Sequence, residues 1–316
     1  MSEFYDKLDA MADQGKFLCV GLDPRPDRFP EEIKQSSEEV AEQALLFGSA
    51  IVESVQDVAA AIKPNEAFWQ ALAAEGVGTA AYEQFVADVE AINPELVIIG
   101  DAKRSDIGDT AGAYARSEFD DTNVDALTVI PYFGSDAAKP FWEYENKGII
   151  PVIKSSNPDG SDTQSVPAHY TDLATMRRHD GSELYDMEEI LRLKSIFGSV
   201  SMPQYAHVGS LVRRLWNANN NIGVVAGGSP SSLDDLSYVR AVMGEDIPIL
   251  VPGIGKQGGS AREAATLASN RIGSRFLINE SRSVIYASTD SDYYHAARDA
   301  AVDSTEQIRE GLREVA

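Results

Sequence analysis

The stretch Leu96-Val97-Ile98-Ile99-Gly100-Asp101-Ala102-Lys103-Arg104-Ser105-Asp106-Ile107 runs from four apolar residues straight into two carboxylates and an ammonium. A short apolar run closed by a glycine and then by charges reads as a buried strand that ends where the charges begin. Side chains alternate across a strand, so Asp101 and Lys103 share one face, while Gly100 and Ala102 let the other face pack closely. Charges at such a terminus are costly to desolvate unless paired. The array therefore serves chemistry or holds a structural ion pair, and spacing alone leaves both open.

Seven further apolar runs share this form, giving eight in all: 17–23, 60–65, 96–103, 126–130, 149–156, 222–228, 247–253 and 275–281. Between them lie stretches such as 37–58 and 79–92, whose apolar positions recur every three or four residues, as expected of helices covering a sheet. This is the rhythm of consecutive βα units, and eight of them predict one domain over residues 1–316 folded as an α/β (β/α)8, or TIM, barrel. A doubly wound open sheet is the alternative, because periodicity does not reveal closure. One connection breaks the rhythm: about 65 residues separate the fifth run from the sixth, where most others take roughly 20 to 30. Much of the excess is polar, as in Asn157-Pro158-Asp159-Gly160-Ser161-Asp162, and it predicts an insertion at about 159–201, either a lid or a solvated decoration. Helical spacing returns at 185–197 and 205–218, the second being the regular fifth helix.

In such a barrel the chemistry sits at the C-terminal ends of the strands. The first run ends Gly21-Leu22-Asp23-Pro24, the second Ile62-Lys63-Pro64-Asn65, the third supplies Asp101, Lys103 and Asp106, and the fifth ends Lys154-Ser155-Ser156-Asn157. Two lysines and three aspartates thus gather from three neighbouring strands. The seventh run leads into Pro252-Gly253-Ile254-Gly255-Lys256-Gln257-Gly258-Gly259 and a helix opening at Ser260, a glycine-rich turn at a helix N-terminus suited to an anion. Arg282, just past the eighth run, can offer a planar fork to phosphate oxygens. Barrels often build phosphate sites from the loops after these two strands.

Absences narrow the reaction. His169, His179, His207 and His295 lie away from the strand ends and are not spaced as metal ligands, so no metal is expected. Gly253-Ile254-Gly255 lacks the remaining spacing of a dinucleotide fingerprint, and no nucleophile-elbow serine turn occurs. The single cysteine, Cys19, lies in an apolar run and reads as a packed thiol.

With these residues in hand, the chain resembles the orotidine 5'-monophosphate decarboxylase family, in particular its longer bacterial and archaeal-type branch. The resemblance spans nearly the whole chain. It rests on Gly21-Leu22-Asp23-Pro24, Lys63-Pro64-Asn65, the Asp-x-Lys-x-x-Asp-Ile-Gly pattern beginning at Asp101, Ser155-Ser156-Asn157-Pro158, the loop 252–259 and Arg282-Ser283. The long excursion after the fifth run departs from the expected pattern. The resemblance implies decarboxylation of orotidine monophosphate to UMP in pyrimidine biosynthesis, by a cofactor-free homodimer. Lys103 would then protonate C6 of the pyrimidine, with Asp101 beside the departing carboxylate and Lys63 completing the charge array. Asp106 and Thr110 would act from the neighbouring subunit, Asp23 would bind the ribose, and Ser156 would meet the pyrimidine edge. Gln257, Gly258, Gly259 and Arg282 would hold the phosphate. The competing readings are a metal-dependent sugar-phosphate decarboxylase or aldolase on the same barrel, and a non-catalytic nucleotide-binding barrel.

The net charge is −23, from 50 acidic against 27 basic residues. This argues against nucleic acid as a partner, although a local basic pocket can still take a small anion. No apolar window approaches the roughly 18 residues of a membrane span, and the N-terminus lacks a signal-peptide pattern, so the expected location is cytoplasmic. Only ten of the basic residues are lysine, and so acidic a surface repels itself in dilute buffer. That pattern suits a salt-rich, halophilic cytoplasm. The thermal midpoint is expected to rise as salt goes from about 0.01 M to about 1 M, where the screening length shrinks from about 30 Å to about 3 Å; a midpoint indifferent to salt contradicts it.

Overall fold

A computed structural model describes residues 2–72 and 77–315. Ten strands are present among the described residues: β1 Leu18–Leu22, β2 Ala59–Pro64, β3 Val97–Arg104, β4 Ala126–Val129, β5 Gly148–Lys154, β6 Pro167–His169, β7 Ser201–Pro203, β8 Val224–Ala226, β9 Ile249–Val251 and β10 Phe276–Glu280. Eight of them, β1 to β5 and β8 to β10, close into a parallel barrel in chain order, each falling on one of the eight apolar runs. Closure is direct, because β1 pairs with both β2 and β10. The open-sheet alternative is thereby excluded.

Two packed layers hold the barrel. Inside it, Cys19, Ala61, Val97, Ile99, Ile150, Val225, Leu250 and Leu277 form one apolar cluster with Phe4, Tyr5, Leu8 and Met11 of the helix Glu3–Asp13. That helix plugs the end of the barrel opposite the charged strand ends. Ser2 caps it by accepting from Tyr5 N, and the Tyr5 hydroxyl donates to the Ile222 carbonyl at 2.7 Å. Its Phe4 ring lies so close to Gly148 that a Cβ there would sit 2.5 Å from it, so the start of β5 must be glycine for the plug to seat. Burial pushes the Cys19 thiol up to about 12, as suits a packed residue.

The outer layer joins strands to helices. The helix Val40–Val55 buries Ala44, Phe47, Ile51, Val52 and Val55 at three- and four-residue spacing, and Phe47 stacks on Tyr286 and Tyr293. The helix Tyr293–Arg313 lies against Ala261–Ala268 through small residues, with a Cβ at Gly311 only 2.3 Å from the Arg262 carbonyl oxygen. On β3, Gly100 faces the Tyr82 hydroxyl and Leu127, the close approach its lack of a side chain allows.

The excursion between β5 and β8 has its own structure. Strands β6 and β7 pair antiparallel, with Pro167 opposite Pro203, and the helix Met187–Phe197 lies between them in sequence. Asp186 caps this helix, and Gly198 ends it with φ 61°. The following helix is Gln204–Leu211, which widens into a π turn at Val212–Trp216, so the stretch 205–218 is helical without being one regular helix. Among the described residues, no helix is long and apolar enough to cross a membrane.

Candidate active site

The centre of the site is Asp101, buried at the end of β3 and clasped by two ammonium groups. Lys63 Nζ, from the end of β2, donates to Asp101 Oδ2 at 2.6 Å, and Lys103 Nζ donates to Oδ1 at 2.5 Å. Thr128 Oγ1 on β4 adds a bond to Oδ1 at 3.0 Å, and Asn65 Nδ2 lies 3.4 Å from Oδ2. Burial raises the pKa of Asp101, yet the two lysine charges outweigh it and hold the carboxyl well below its usual range. For Lys63 the balance has the same outcome: burial disfavours the ammonium, while Asp101 and Asp23 more than restore it. The lysines differ in access, for the Lys63 side chain is 6% exposed and that of Lys103 is 49% exposed. One cation anchors the carboxylate and the other faces outward.

Simple alternation does not produce this geometry. The β3–β4 register shifts between Gly100 and Arg104, and Lys103 takes a left-handed backbone with φ 50°. Its N–H leaves the ladder and donates to Thr128 Oγ1 at 3.0 Å. Thr128 therefore fixes the Lys103 backbone and the Asp101 carboxylate with one hydroxyl. A non-glycine residue in this region is strained by roughly 1–3 kcal/mol and persists only where its surroundings impose it.

These groups open on a cavity of about 290 Å3 at the C-terminal mouth of the barrel, lined by Asp23, Lys63, Asp101, Lys103, Ser156 and Gln257 among others. Asp23 Oδ1 is buried there with no hydrogen-bond partner among the described residues. At the far rim, Gly253, Gly255 and Gly258 take φ of 98°, 71° and 88°, folding 252–259 into a tight loop ahead of the helix Ala261–Ala268. The amides of Gly258 and Gly259 donate inside this loop, to the carbonyls of Gly255 and Gly253. In this structure both N–H groups close the turn that these two glycines shape. A Cβ on Gly253 would lie 2.8 Å from Ser156 Cβ, which brings the loops after β5 and β9 into contact.

The family model for the orotidine 5'-phosphate decarboxylase / HUMPS family matches residues 16–297. The chain belongs to this family. An orotidine 5'-phosphate decarboxylase from Bordetella pertussis is 35% identical over 299 residues, covering 94% of this chain and 95% of that protein. Among solved structures, OMP decarboxylase from Leishmania donovani is 31% identical with a TM-score of 0.70, covering 98% of this chain and 99% of that one. UMP synthase from Leishmania donovani is 32% identical with a TM-score of 0.74, covering 98% of this chain and 56% of that longer one.

Lys63, Asp101, Lys103, Asp23, Ser156 and Gln257 thus converge on one cavity. Gly258, Gly259 and Arg282 lie outside its lining, Arg282 opening the short helix Arg282–Ile285 just past β10. Asp106 and Thr110 do not join the array within the chain. Asp106 turns back to accept from Ile107 N at 2.8 Å, and Thr110 is exposed. Thr128 and Asn279, both lining the cavity, escaped the sequence reading because they interrupt apolar strands instead of ending them. The available signal was a lone polar residue in the run Leu127-Thr128-Val129 and another in Ile278-Asn279-Glu280.

Behind the array, Arg104 joins two buried carboxylates. It bonds Glu66 through a guanidinium nitrogen and Glu118 Oε1 at 3.0 Å, while the Tyr82 hydroxyl donates to Glu118 Oε2 at 3.4 Å. Burial first, and then the neighbouring Glu66, raise the Glu118 carboxyl to about 7. The folded state therefore holds this proton more tightly than the unfolded chain, whose glutamates titrate near about 4.3. The stabilisation is complete below that value and fades as pH rises through about 7. Thermal midpoints are expected to fall between about pH 5 and about pH 8, and Glu118→Gln is expected to flatten the slope; a variant with the wild-type slope would remove Glu118 as its source.

Proposed function

We propose that this chain decarboxylates orotidine 5'-monophosphate to UMP and CO2, as a cytoplasmic homodimer of (β/α)8 domains each carrying an insertion at about 159–201. The observation that carries the reading is the Lys63–Asp101–Lys103 clasp at the mouth of one cavity. Family membership and the names borne by relatives at 35% identity support it.

Breaking the bond between C6 and its carboxylate leaves an electron pair in an sp2 orbital that the pyrimidine ring delocalises poorly. An ammonium fixed beside C6 stabilises that pair as a field and then quenches it as an acid. Lys103, the exposed partner of the clasp, supplies that proton, and Asp101 lies against the carboxylate that departs as CO2. Lys63 neutralises Asp101 from the barrel side and, with Asp23, holds the ribose hydroxyls. The buried, unpartnered Asp23 Oδ1 supports that assignment, since a hydroxyl donor would satisfy it. Ser156 meets the pyrimidine edge, while Gln257 and Arg282 hold the phosphate on a loop shaped by Gly258 and Gly259. Phosphate binding so far from C6 lends its energy to positioning the reacting end. Acid and field both come from side chains, so this reading calls for no cofactor. Both Asp101 oxygens bond to ammonium groups, which disfavours its use as a magnesium ligand.

Asp106 and Thr110 serve the partner's site in this reading. Beside them, Ile107 is 60% exposed, Tyr132 88% and Phe133 53%, an apolar face suited to a second copy. Ser105 Oγ, donating to the Ile130 carbonyl at 3.2 Å, ties the two loops of that face together.

The test follows the ultraviolet absorbance of orotidine monophosphate with purified protein. Chelator-resistant substrate loss is expected for the wild type, with Lys103→Ala inactive; an active Lys103→Ala protein overturns the mechanism. Mixing inactive Lys103→Ala with inactive Asp106→Ala is expected to restore about a quarter of wild-type activity. Half the reassorted dimers then pair the two variants, each with one intact site, and no recovery on mixing would place Asp106 outside a shared site.

A further inference from the structure

We infer that the excursion after β5 braces one side of the cavity from outside its lining, and that Gln164 is the positioning residue through which it holds the Ser155–Asn157 loop. The substrate named in part of the test rests on the proposed function; the structural claim does not.

The loop itself comes straight off the barrel. Lys154 ends β5, and Ser155, Ser156 and Asn157 follow as consecutive residues lining the cavity. On its outer side the chain turns at Pro158–Gly160, and the short helix Ser161–Gln164 brings Gln164 back onto the loop nine residues on. Gln164 Oε1 accepts from Ser155 N at 3.0 Å, and Gln164 Nε2 donates to Ser155 Oγ at 2.8 Å. Both ends of the side-chain amide are thus spent on one residue. The approach is tight, for a Cβ on Gly160 would lie 2.6 Å from Ser155 Oγ and 2.9 Å from Gln164 Oε1.

The grip is useful only if Gln164 is itself held, and its neighbours hold it. Ser165 Oγ accepts from the buried Lys154 Nζ at 3.3 Å, and Lys154 also pairs with Asp235 at 3.2 Å, above the ring of Tyr205. The Tyr205 hydroxyl donates to the same Asp235 at 3.0 Å. Beyond Ser165, the Gln204 amide donates to the Val166 carbonyl at 2.9 Å, and β6 begins its pairing with β7. On the opposite side of the loop, Ser229 Oγ donates to the Ser156 carbonyl at 2.8 Å. The loop is therefore pinned from two sides, by the excursion and by the segment after β8.

The arrangement divides labour between adjacent serines. Gln164 engages the Ser155 hydroxyl, while the Ser156 hydroxyl has no hydrogen bond among the described residues and lines the cavity, available to a ligand. Because Gln164 hydrogen-bonds to no other cavity-lining residue among the described residues, its influence on a ligand passes through this loop. A mobile lid would need an excursion free at its tip and loosely tied at its base; here the base carries the bonds.

Gln164→Leu keeps most of the volume and removes both polar ends, whereas Gln164→Glu keeps an acceptor for the Ser155 amide and hydroxyl. In the ligand-free protein, hydrogen exchange at the Ser155 amide is expected to accelerate at least about tenfold in Gln164→Leu and to stay near wild type in Gln164→Glu. Unchanged exchange in Gln164→Leu overturns the inference whatever the substrate. In turnover of orotidine monophosphate, Gln164→Leu is expected to raise KM about 10- to 30-fold, with a smaller drop in kcat and rescue by Gln164→Glu. A lowered melting point with wild-type KM would make the contact merely structural and also overturn it. A wild-type protein with no turnover would count against the proposed function alone, leaving the exchange result to decide the brace.

Discussion

One buried carboxylate organises the mouth of this barrel. Asp101 holds two ammonium groups and a threonine hydroxyl, and each comes from a different position on three adjacent strands. Removing it would leave the buried Lys63 ammonium without its paired carboxylate, a cost of about 3–5 kcal/mol when one partner of a buried pair is lost. The rest of the fold can be read as the frame that this clasp requires. A closed sheet fixes β2, β3 and β4 relative to one another, the plug helix fills the opposite end, and the mouth is left to polar side chains.

The clasp and the cavity it opens on differ in charge from the rest of the chain. Lys63, Asp101 and Lys103 sum to +1 within one chain, in a protein whose total is −23. The surface repels anions in general, whereas the cavity lining sets Lys63 and Lys103 against Asp101 and Asp23 and is near neutral, with Arg282 beyond that lining. A near-neutral lining in so acidic a chain is a local break in the field that repels anions.

All eight barrel strands were legible because buried parallel strands need continuous apolar runs, and Leu96 to Ile99 is as clear an example as Ile149-Ile150. The charged strand ends were legible for the same reason, by contrast with the runs they close. What stayed hidden had no such contrast. Strands β6 and β7 are short, and Pro167 and His169 are exposed, so they carry no apolar signal. The plug helix was passed over because its buried face, Phe4, Tyr5, Leu8 and Met11, is interleaved with acids at the chain start. Gln164 sits in a polar stretch where composition says only that the segment is exposed. Alternation placed Asp101 and Lys103 on one face, yet their meeting depends on a register break that no side-chain pattern announces.

The left-handed backbone at Lys103 has a consequence for how this sequence can change. A glycine there would relieve the strain and in the same step lose the ammonium that clasps Asp101, so at position 103 the backbone and the charge pair it carries pull in opposite directions. A substitution that eases the turn therefore loosens the clasp, and one that keeps the clasp keeps the strain. The residue at 103 thus records which of the two demands the chain has been answering.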